Sequence, residues 1–301
     1  MPSQSFKVII NTRSGFSDKE EFRKKLDQIF AGAGVKAEIS LATDGDEIAR
    51  SAKQAVQENW TVIVAGGGDG TVNCVASAVI GTEKILGVLP LGTLNHFARD
   101  LGLPLDLEEA ARTLISGRVI EVDAGEVNGH LFLNNSTLGL YPTIVHERQK
   151  QQRLGSGKWP AFVWAAVAVF RKYPFLDVQM VAKGKNYSLR TPFVFVGSNK
   201  YVMEGFNIGR RERLDKGQLS VYVTNRTNRW GLVRLAWRAM FRRLREEKDF
   251  LALVTDELRI KTAHKSLRVA FDGEVARLAG PFHFRIRPRI LRVIASRPED
   301  T

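Results

Sequence analysis

Residues 61–79 read TVIVAGGGDGTVNCVASAV. The stretch opens on an apolar run of strand length (61–65), passes through Gly66, Gly67, Gly68, Asp69, Gly70 and Thr71, and continues with Val72, Val75 and Val79 on one helical face. A strand that ends in glycines and leads straight into a helix is the unit of a doubly wound α/β sheet. Such sheets bind ligands beyond the carboxyl ends of their strands. Glycines let the backbone approach a phosphate and turn N–H groups toward it. A helix starting near Thr71 adds its N-terminal partial positive charge. An acid inside such a loop repels phosphate unless a cation sits there, so Asp69 implies Mg2+, held directly or through water. Neither G-x-x-x-x-G-K-[ST] nor G-x-G-x-x-G fits the stretch. The alternative for the same residues is a glycine turn with a helix-capping Asp.

Outward from this loop the pattern repeats. Residues 6–10 (FKVII), 35–41 and 85–89 read as strands. Phe22, Leu26, Ile29 and Phe30, and then Ile48, Ala52, Ala55 and Val56, recur at helical spacing. Two further strand ends carry polar, glycine-bearing loops. In NTRSG (11–15), Asn11 and a cation lie beside backbone donors. In PLGTLNHFARD (90–100), Thr93 and Asn95 offer short polar groups at a helix start. Each alone reads equally as a surface turn or a capped helix. Three such loops after three strands predict one shared site.

The second half changes character. Strand-like runs at 119–127, 131–136, 176–181, 187–196, 219–223, 258–262, 266–271, 282–287 and 291–295 are separated by Asn128-Gly129, Lys183-Gly184-Lys185 and Asp272-Gly273. These spacings predict an antiparallel β-sandwich. Two helical segments interrupt it, near 159–172 and 228–247. The expected domains are 1–124, with a last strand near 288–298 returning to it, and 125–287.

Charge follows the same division. Residues 1–122 carry 13 Lys/Arg and 16 Asp/Glu, and residues 123–301 carry 32 and 16, so the net charge of +13 belongs wholly to the second half. That excess points to an anionic partner, a membrane surface or nucleic acid. In 228–247, Trp230, Val233, Trp237, Met240, Phe241 and Leu244 share a helical face, with arginines such as Arg234, Arg238 and Arg242 around it. This segment reads either as a membrane-docking helix or as a helix covering the second domain. One cysteine, Cys74, allows no intrachain disulfide, which fits a reducing compartment. No signal peptide is read at the N-terminus, and no run reaches about 18 apolar residues. The five histidines lack zinc-type spacing.

Taken together, NTRSG, GGGDGTVN, PLGTLN-x-FA and the late FDGE (271–274) resemble the diacylglycerol kinase catalytic domain, which sphingosine and ceramide kinases and bacterial soluble lipid kinases share. The resemblance implies an N-terminal doubly wound α/β nucleotide-binding domain and a C-terminal antiparallel β-sandwich domain, with ATP as phosphoryl donor and Mg2+ as cofactor. Asn11, Gly67, Gly68, Asp69, Gly70, Thr71, Thr93 and Asn95 match its nucleotide-binding pattern. By the same resemblance, Asp272 is the general base and Glu274 stands near the nucleotide's magnesium. Asp123 belongs to a magnesium-linked network, and Asp215 falls in a region where relatives hold a structural Mg2+. The roles of Asp69 and Asp272 could be exchanged. His96 stands where the family often has Asp, which unsettles any metal role for that position.

The expected reaction is transfer of the ATP γ-phosphoryl group to a lipid hydroxyl, with diacylglycerol giving phosphatidic acid. A soluble-substrate kinase of the NAD kinase type, which shares the GGDGT loop, is the alternative, and a non-catalytic anionic-lipid or nucleic-acid binding module is the other. The expected partners are a membrane lipid at the bilayer surface and a second copy of the chain in a homodimer, without nucleic acid. The expected location is cytoplasmic, peripheral at the inner membrane surface.

Overall fold

The computed structural model describes residues 4–14, 19–139, 175–204, 207–211, 213–224 and 250–297. The chain divides into two compact units, Met1–Ala124 with Pro288–Thr301, and Gly125–Arg287. The predicted helices near 159–172 and 228–247 lie outside the described residues.

The first unit runs β1 (Ser5–Asn11), α1 (Lys19–Gly32), β2 (Lys36–Ala42), α2 (Gly45–Gln57), β3 (Val62–Gly67), α3 (Asp69–Val79), β4 (Ile85–Pro90), α4 (His96–Asp100), α5 (Leu107–Ser116) and the start of β5 (Arg118–Val127). Its strands pair in parallel in the order β2-β1-β3-β4. Alternation along each strand sends side chains to both faces. Phe6, Val8, Ile10, Val62 and Val64 meet Phe22, Leu26 and Phe30 of α1 and Ala110, Ala111 and Leu114 of α5. Helices α2 and α3 pack on each other and bury Ile48, Ala52 and Ala55, and Val72, Val75, Ala76 and Val79. Asp44 and Asp106 cap α2 and α5 by accepting from the free N–H groups of Glu47, and of Glu108 and Glu109. Each such cap contributes about 1 kcal/mol.

The second unit holds the end of β5, then β6 (His130–Phe132), β7 (Asn135–Gly139), β8 (Leu176–Ala182), β9 (Lys185–Thr191), β10 (Phe193–Ser198), β11 (Tyr201–Glu204), β12 (Asn207–Arg211), β13 (Leu219–Thr224), β14 (Phe250–Thr255), β15 (Glu257–Thr262), β16 (Ser266–Phe271), β17 (Glu274–Ala279) and the start of β18 (Phe282–Ala295). Its hairpins and the ladders β7–β10, β7–β16, β10–β13, β13–β14, β8–β15 and β15–β18 are antiparallel. One sheet runs β18-β15-β8-β9 and the other β14-β13-β10-β7-β16-β17. Val178, Met180, Leu258, Ile260, Phe282 and Phe284 of the first join Leu138, Val194, Val196, Val221 and Val269 of the second in one core, which makes a sandwich. Three two-residue turns carry positive φ at both positions: Asn128-Gly129 (46° and 87°), Lys183-Gly184 (48° and 72°) and Asp272-Gly273 (49° and 88°). This geometry matches the twist of the strands they join.

Several strand expectations change. The run 187–196 is two strands, because Pro192 has no N–H for a ladder and the chain leaves one sheet for the other there. The run 131–136 is interrupted at Leu133 and Asn134, whose N–H groups go to a side chain rather than to a neighbouring strand. The runs 282–287 and 291–295 are one strand, β18, which continues through Pro288 and a left-handed Arg289 (φ 48°). Its later residues Arg292 and Val293 pair in parallel with Ile85 and Leu86 of β4 in the first unit. Strands β14 and β17 and the β11–β12 hairpin are additions. No helix of the described residues is long and apolar enough to cross a membrane.

Candidate active site

The order β2-β1-β3-β4 places the partners of β1 on opposite sides, so a crevice opens between the carboxyl ends of β1 and β3. Register brings Ile10 beside Gly66, and Gly66 and Gly67 beside Leu89 and Pro90. The loops after β1, β3 and β4 therefore leave the sheet side by side, and hydrogen bonds connect all three. Asn11 Nδ2 donates to Thr71 Oγ1 at 3.0 Å, while its Oδ1 accepts from Arg13 N. Asp69 opens α3, and its carboxylate accepts from His96 N (3.3 Å) and Phe97 N (3.2 Å) at the start of α4. Leu91 N donates to Gly67 O.

Backbone proximity explains the glycines. A side-chain carbon at Gly67 would lie 2.4 Å from Thr71 Oγ1, and one at Gly92 would lie 2.4 Å from the Gly68 Cα. Gly70 follows Asp69 in the first turn of α3.

The loop residues divide into those that reach outward and those that build the loop. Thr93 is exposed, and Asp69 is half-buried. Thr71 is buried, with its hydroxyl on Asn11. Asn95 is 6% exposed and left-handed (φ 51°). Its Oδ1 accepts from Gly92 N, and its Nδ2 donates to Pro90 O and Gly92 O. Both amide hydrogens are engaged, so Asn95 shapes the loop that carries Thr93 and its contribution to a ligand is indirect.

In the second unit the decisive group is Asp272, 8% exposed, at the turn between β16 and β17. Its Oδ2 accepts from Leu133 N (2.6 Å), and its Oδ1 from Asn134 N (2.8 Å) and Asn135 N (3.0 Å). A carboxylate offers about four lone-pair positions, so one on Oδ2 has no partner among the described residues. Burial pushes this carboxyl up to about 6, against the three amides and the nearby Arg211 charge that pull it down. A buried carboxylate with one open acceptor position, titrating near neutrality, can take a proton from a hydroxyl. Glu274 follows it, exposed at the start of β17.

The remaining acids are engaged differently. Asp123, 2% exposed, accepts Arg289 N at 2.8 Å and so holds the left-handed residue of β18. Asp215 is gripped by both Nε and Nη2 of Arg213 (2.8 and 2.6 Å), which hold it below the usual carboxylate range. Among the described residues no three His, Cys, Asp or Glu side chains come together as a metal cage. Mg2+ is commonly held by one or two carboxylates plus substrate phosphates, and half-buried Asp69 suits that mode. Asp123, bonded to Arg289 N, and Asp215, paired with Arg213, carry these structural bonds whatever else they hold.

Residues that the sequence did not single out complete the second unit's polar interior. Glu126 accepts from Arg285 (2.9 and 2.6 Å) and Arg287 (2.7 Å); burial works to raise its carboxyl, and these bonds outweigh it. Arg211, Tyr201 and Asn134 meet behind the Asp272 loop. Each is brought there by folding over dozens of residues, and no local motif marks them.

Residues 5–127 match the diacylglycerol kinase catalytic domain, and residues 141–295 match the YegS C-terminal NAD kinase beta sandwich-like domain. The chain belongs to the diacylglycerol kinase family. The kinase is 34% identical over 155 residues to an Escherichia fergusonii protein described as probable lipid kinase YegS, a match spanning 50% of this chain and 51% of that one. It is 26% identical over 274 residues to a Bacillus subtilis diacylglycerol kinase, covering 89% of each. A Bacillus anthracis structure titled as a diacylglycerol kinase superposes over the full length of both chains, with a TM-score of 0.73 at 20% identity, which shows the shared fold. The family is one of ATP-dependent lipid kinases, and the two-domain order found here is theirs.

Proposed function

We propose that the kinase transfers the ATP γ-phosphoryl group to the hydroxyl of diacylglycerol, giving phosphatidic acid, at a bilayer surface. The observation that carries the reading is the hydrogen-bonded set of three loops at the ends of β1, β3 and β4, with the carboxylate of Asp69 among them. Asn11, Gly67, Gly68, Gly70, Thr71 and Thr93 form the phosphate and nucleotide surface of this reading, and Asn95 holds its last loop. Asp69 would hold Mg2+, which supplies neutralisation of phosphate charge when bound. In this reading Asp272 accepts the hydroxyl proton at Oδ2, and Glu274, two residues on at the start of β17, is assigned to the nucleotide's magnesium by the family pattern alone. Phosphoryl transfer needs chiefly positioning and charge stabilisation, so this small set of groups suffices.

Asp123 enters this reading as support for β18, and a structural cation at Asp215 would have to displace Arg213. The acceptor must be met in or on a membrane, to which the basic segment 228–247 is the proposed contact, with a peripheral, cytoplasmic placement and a homodimer as the assembly. The match of the second unit to a NAD kinase-like sandwich favours one further acceptor for testing, NAD itself.

The test is transfer of labelled γ-phosphate from ATP to a panel of diacylglycerol, monoacylglycerol, a sphingoid base, a prenol and NAD, with and without EDTA. Label on diacylglycerol that disappears with EDTA is the expected result. Label on NAD alone, or on another lipid in preference, would overturn the acceptor assignment.

A further inference from the structure

The three amides that converge on Asp272 belong to the short connection Leu133–Asn134 and to Asn135 at the start of β7. A connection between strands ordinarily turns its polar backbone to water. This one is buried from the other side as well. Arg211 Nη1 donates to Leu133 O (2.5 Å) and to Ser198 O (3.1 Å), and Nη2 donates to Asn134 Oδ1 (3.0 Å). Tyr201 donates its hydroxyl to Asn134 O (2.8 Å), and the Arg211 guanidinium lies over the Tyr201 ring, 5.5 Å from its centre. The N–H groups of the connection thus face a buried carboxylate, while Leu133 O and the Asn134 side chain face a buried guanidinium and Asn134 O faces the Tyr201 hydroxyl.

Arg211 is 5% exposed. Taking a guanidinium out of water costs several kcal/mol before compensation, so its burial calls for specific use. Its planar fork suits several fixed acceptors at once, which a lysine ammonium cannot reproduce. Asp272 also senses its positive charge, which favours the ionised, proton-accepting form.

We infer that Arg211 is a positioning residue for Asp272: it holds Leu133–Asn135 so that three amides orient the carboxylate and leave one Oδ2 position open to the acceptor hydroxyl. The inference rests on Asp272 being the proton acceptor. The three loops proposed to bind ATP belong to the first unit and the Arg211 bonds described above lie within the second, so loss of Arg211 is expected to lower kcat and leave the KM for ATP unchanged. A misplacement of about 1 Å in a reacting group can cost on the order of 100-fold.

The experiment compares Arg211→Met, Arg211→Lys, Asn134→Ala, Asp272→Asn and the Arg211→Met/Asp272→Asn double variant in the full chain, by kcat, ATP KM and Tm. Arg211→Met is expected to lose roughly 10–100-fold in kcat at constant ATP KM. Arg211→Lys recovers part of that, and Asn134→Ala, which removes one acceptor of the fork, loses less. In the Asp272→Asn background the Met substitution adds no further loss, since residues that act as a unit are non-additive. Should Arg211→Met not fold, Arg211→Lys and Asn134→Ala carry the same comparison. A folded Arg211 variant with wild-type kcat, or losses that multiply in the double variant, overturns the positioning role. Wild-type turnover of Asp272→Asn overturns the underlying assignment instead.

Discussion

Gly92→Ala tests whether contact between two loops builds the nucleotide site. The added carbon would sit 2.4 Å from the Gly68 Cα, 3.1 Å from Gly68 N and 2.8 Å from Asn95 Oδ1. Carbon contacts are comfortable at about 3.5–4.0 Å, so one loop must move by roughly 1 Å or more. Neither neighbour is a flexible side-chain end. Gly68 is the residue from which α3 starts, and Asn95 is tied to its loop by three hydrogen bonds. Overpacking against such a wall costs about 1–3 kcal/mol. For a unit of this size that lowers Tm by roughly 3–15 °C. The same movement pulls His96 and Phe97 N–H away from Asp69, so the KM for ATP rises about tenfold or more.

Gly68→Ala probes the same contact more gently, because its carbon would meet the Gly92 Cα at 3.3 Å; its losses are smaller on both counts. Gly45→Ala is the control: nothing lies within 4 Å, and alanine at the start of α2 leaves Tm equal or higher. Differential scanning fluorimetry and ATP titrations at saturating lipid give both quantities. Wild-type Tm and KM for Gly92→Ala, or equal losses for Gly68→Ala, would refute the loop-contact account.

Further predictions separate building from binding. Thr93→Ala raises the KM for ATP at constant Tm because Thr93 is exposed, whereas Asn95→Ala costs roughly 1–3 kcal/mol of stability, lowers Tm and raises KM, as its buried partners lose their bonds. For Asp272, raised to about 6, kcat falls about tenfold per pH unit below 6 as the carboxyl protonates, and a rate–pH profile without that acid limb removes Asp272 as the base. The same shift has a stability consequence of opposite sense. The folded chain binds a proton there before the unfolded one does, so this group's contribution is fully present below about pH 4 and lost as pH rises through 6, which urea melts at several pH values can read. Glu126, held low, behaves conversely: its contribution is present above the ordinary carboxylate range and lost as pH falls through its folded value, and Glu126→Gln flattens that dependence.

The architecture was largely legible because its signals are local. Residues 61–79 carry strand, glycine turn and helix in sequence, and the structure has β3 and α3 there. Asn128-Gly129, Lys183-Gly184 and Asp272-Gly273 announce two-residue hairpins by composition, since one or both residues tolerate positive φ at little cost. The missed helix α5 had a local signal as well: Asp106 before Glu108, Glu109 and the buried Ala110, Ala111 and Leu114 is a capped amphipathic start. The strand errors have a different origin. A strand-like run such as 187–196 reads alike whether one strand or two, and the proline within it marks a change of sheet only once the sheets exist.

Side-chain function was less legible because it is decided by partners distant in sequence. A motif places Asn95 among binding residues, yet its amide is consumed within its own loop, by partners no more than five positions away. Asp69 invited a choice between helix cap and cation ligand. In the fold the carboxylate caps α4 from 27 residues away while staying half-buried, so the cap is a role in its own right and the proposed cation role would be added to it. Asp272 follows the same logic. It is a turn residue by composition and an anchor for Leu133–Asn135 by geometry, and those structural bonds are what orient the remaining Oδ2 position. A substitution at such a residue disturbs fold and chemistry together, so loss of activity alone says little about its role. The informative variants are those one step away, such as Thr93, Asn134 and Arg211, where a change in kcat or KM can be read separately from a change in Tm.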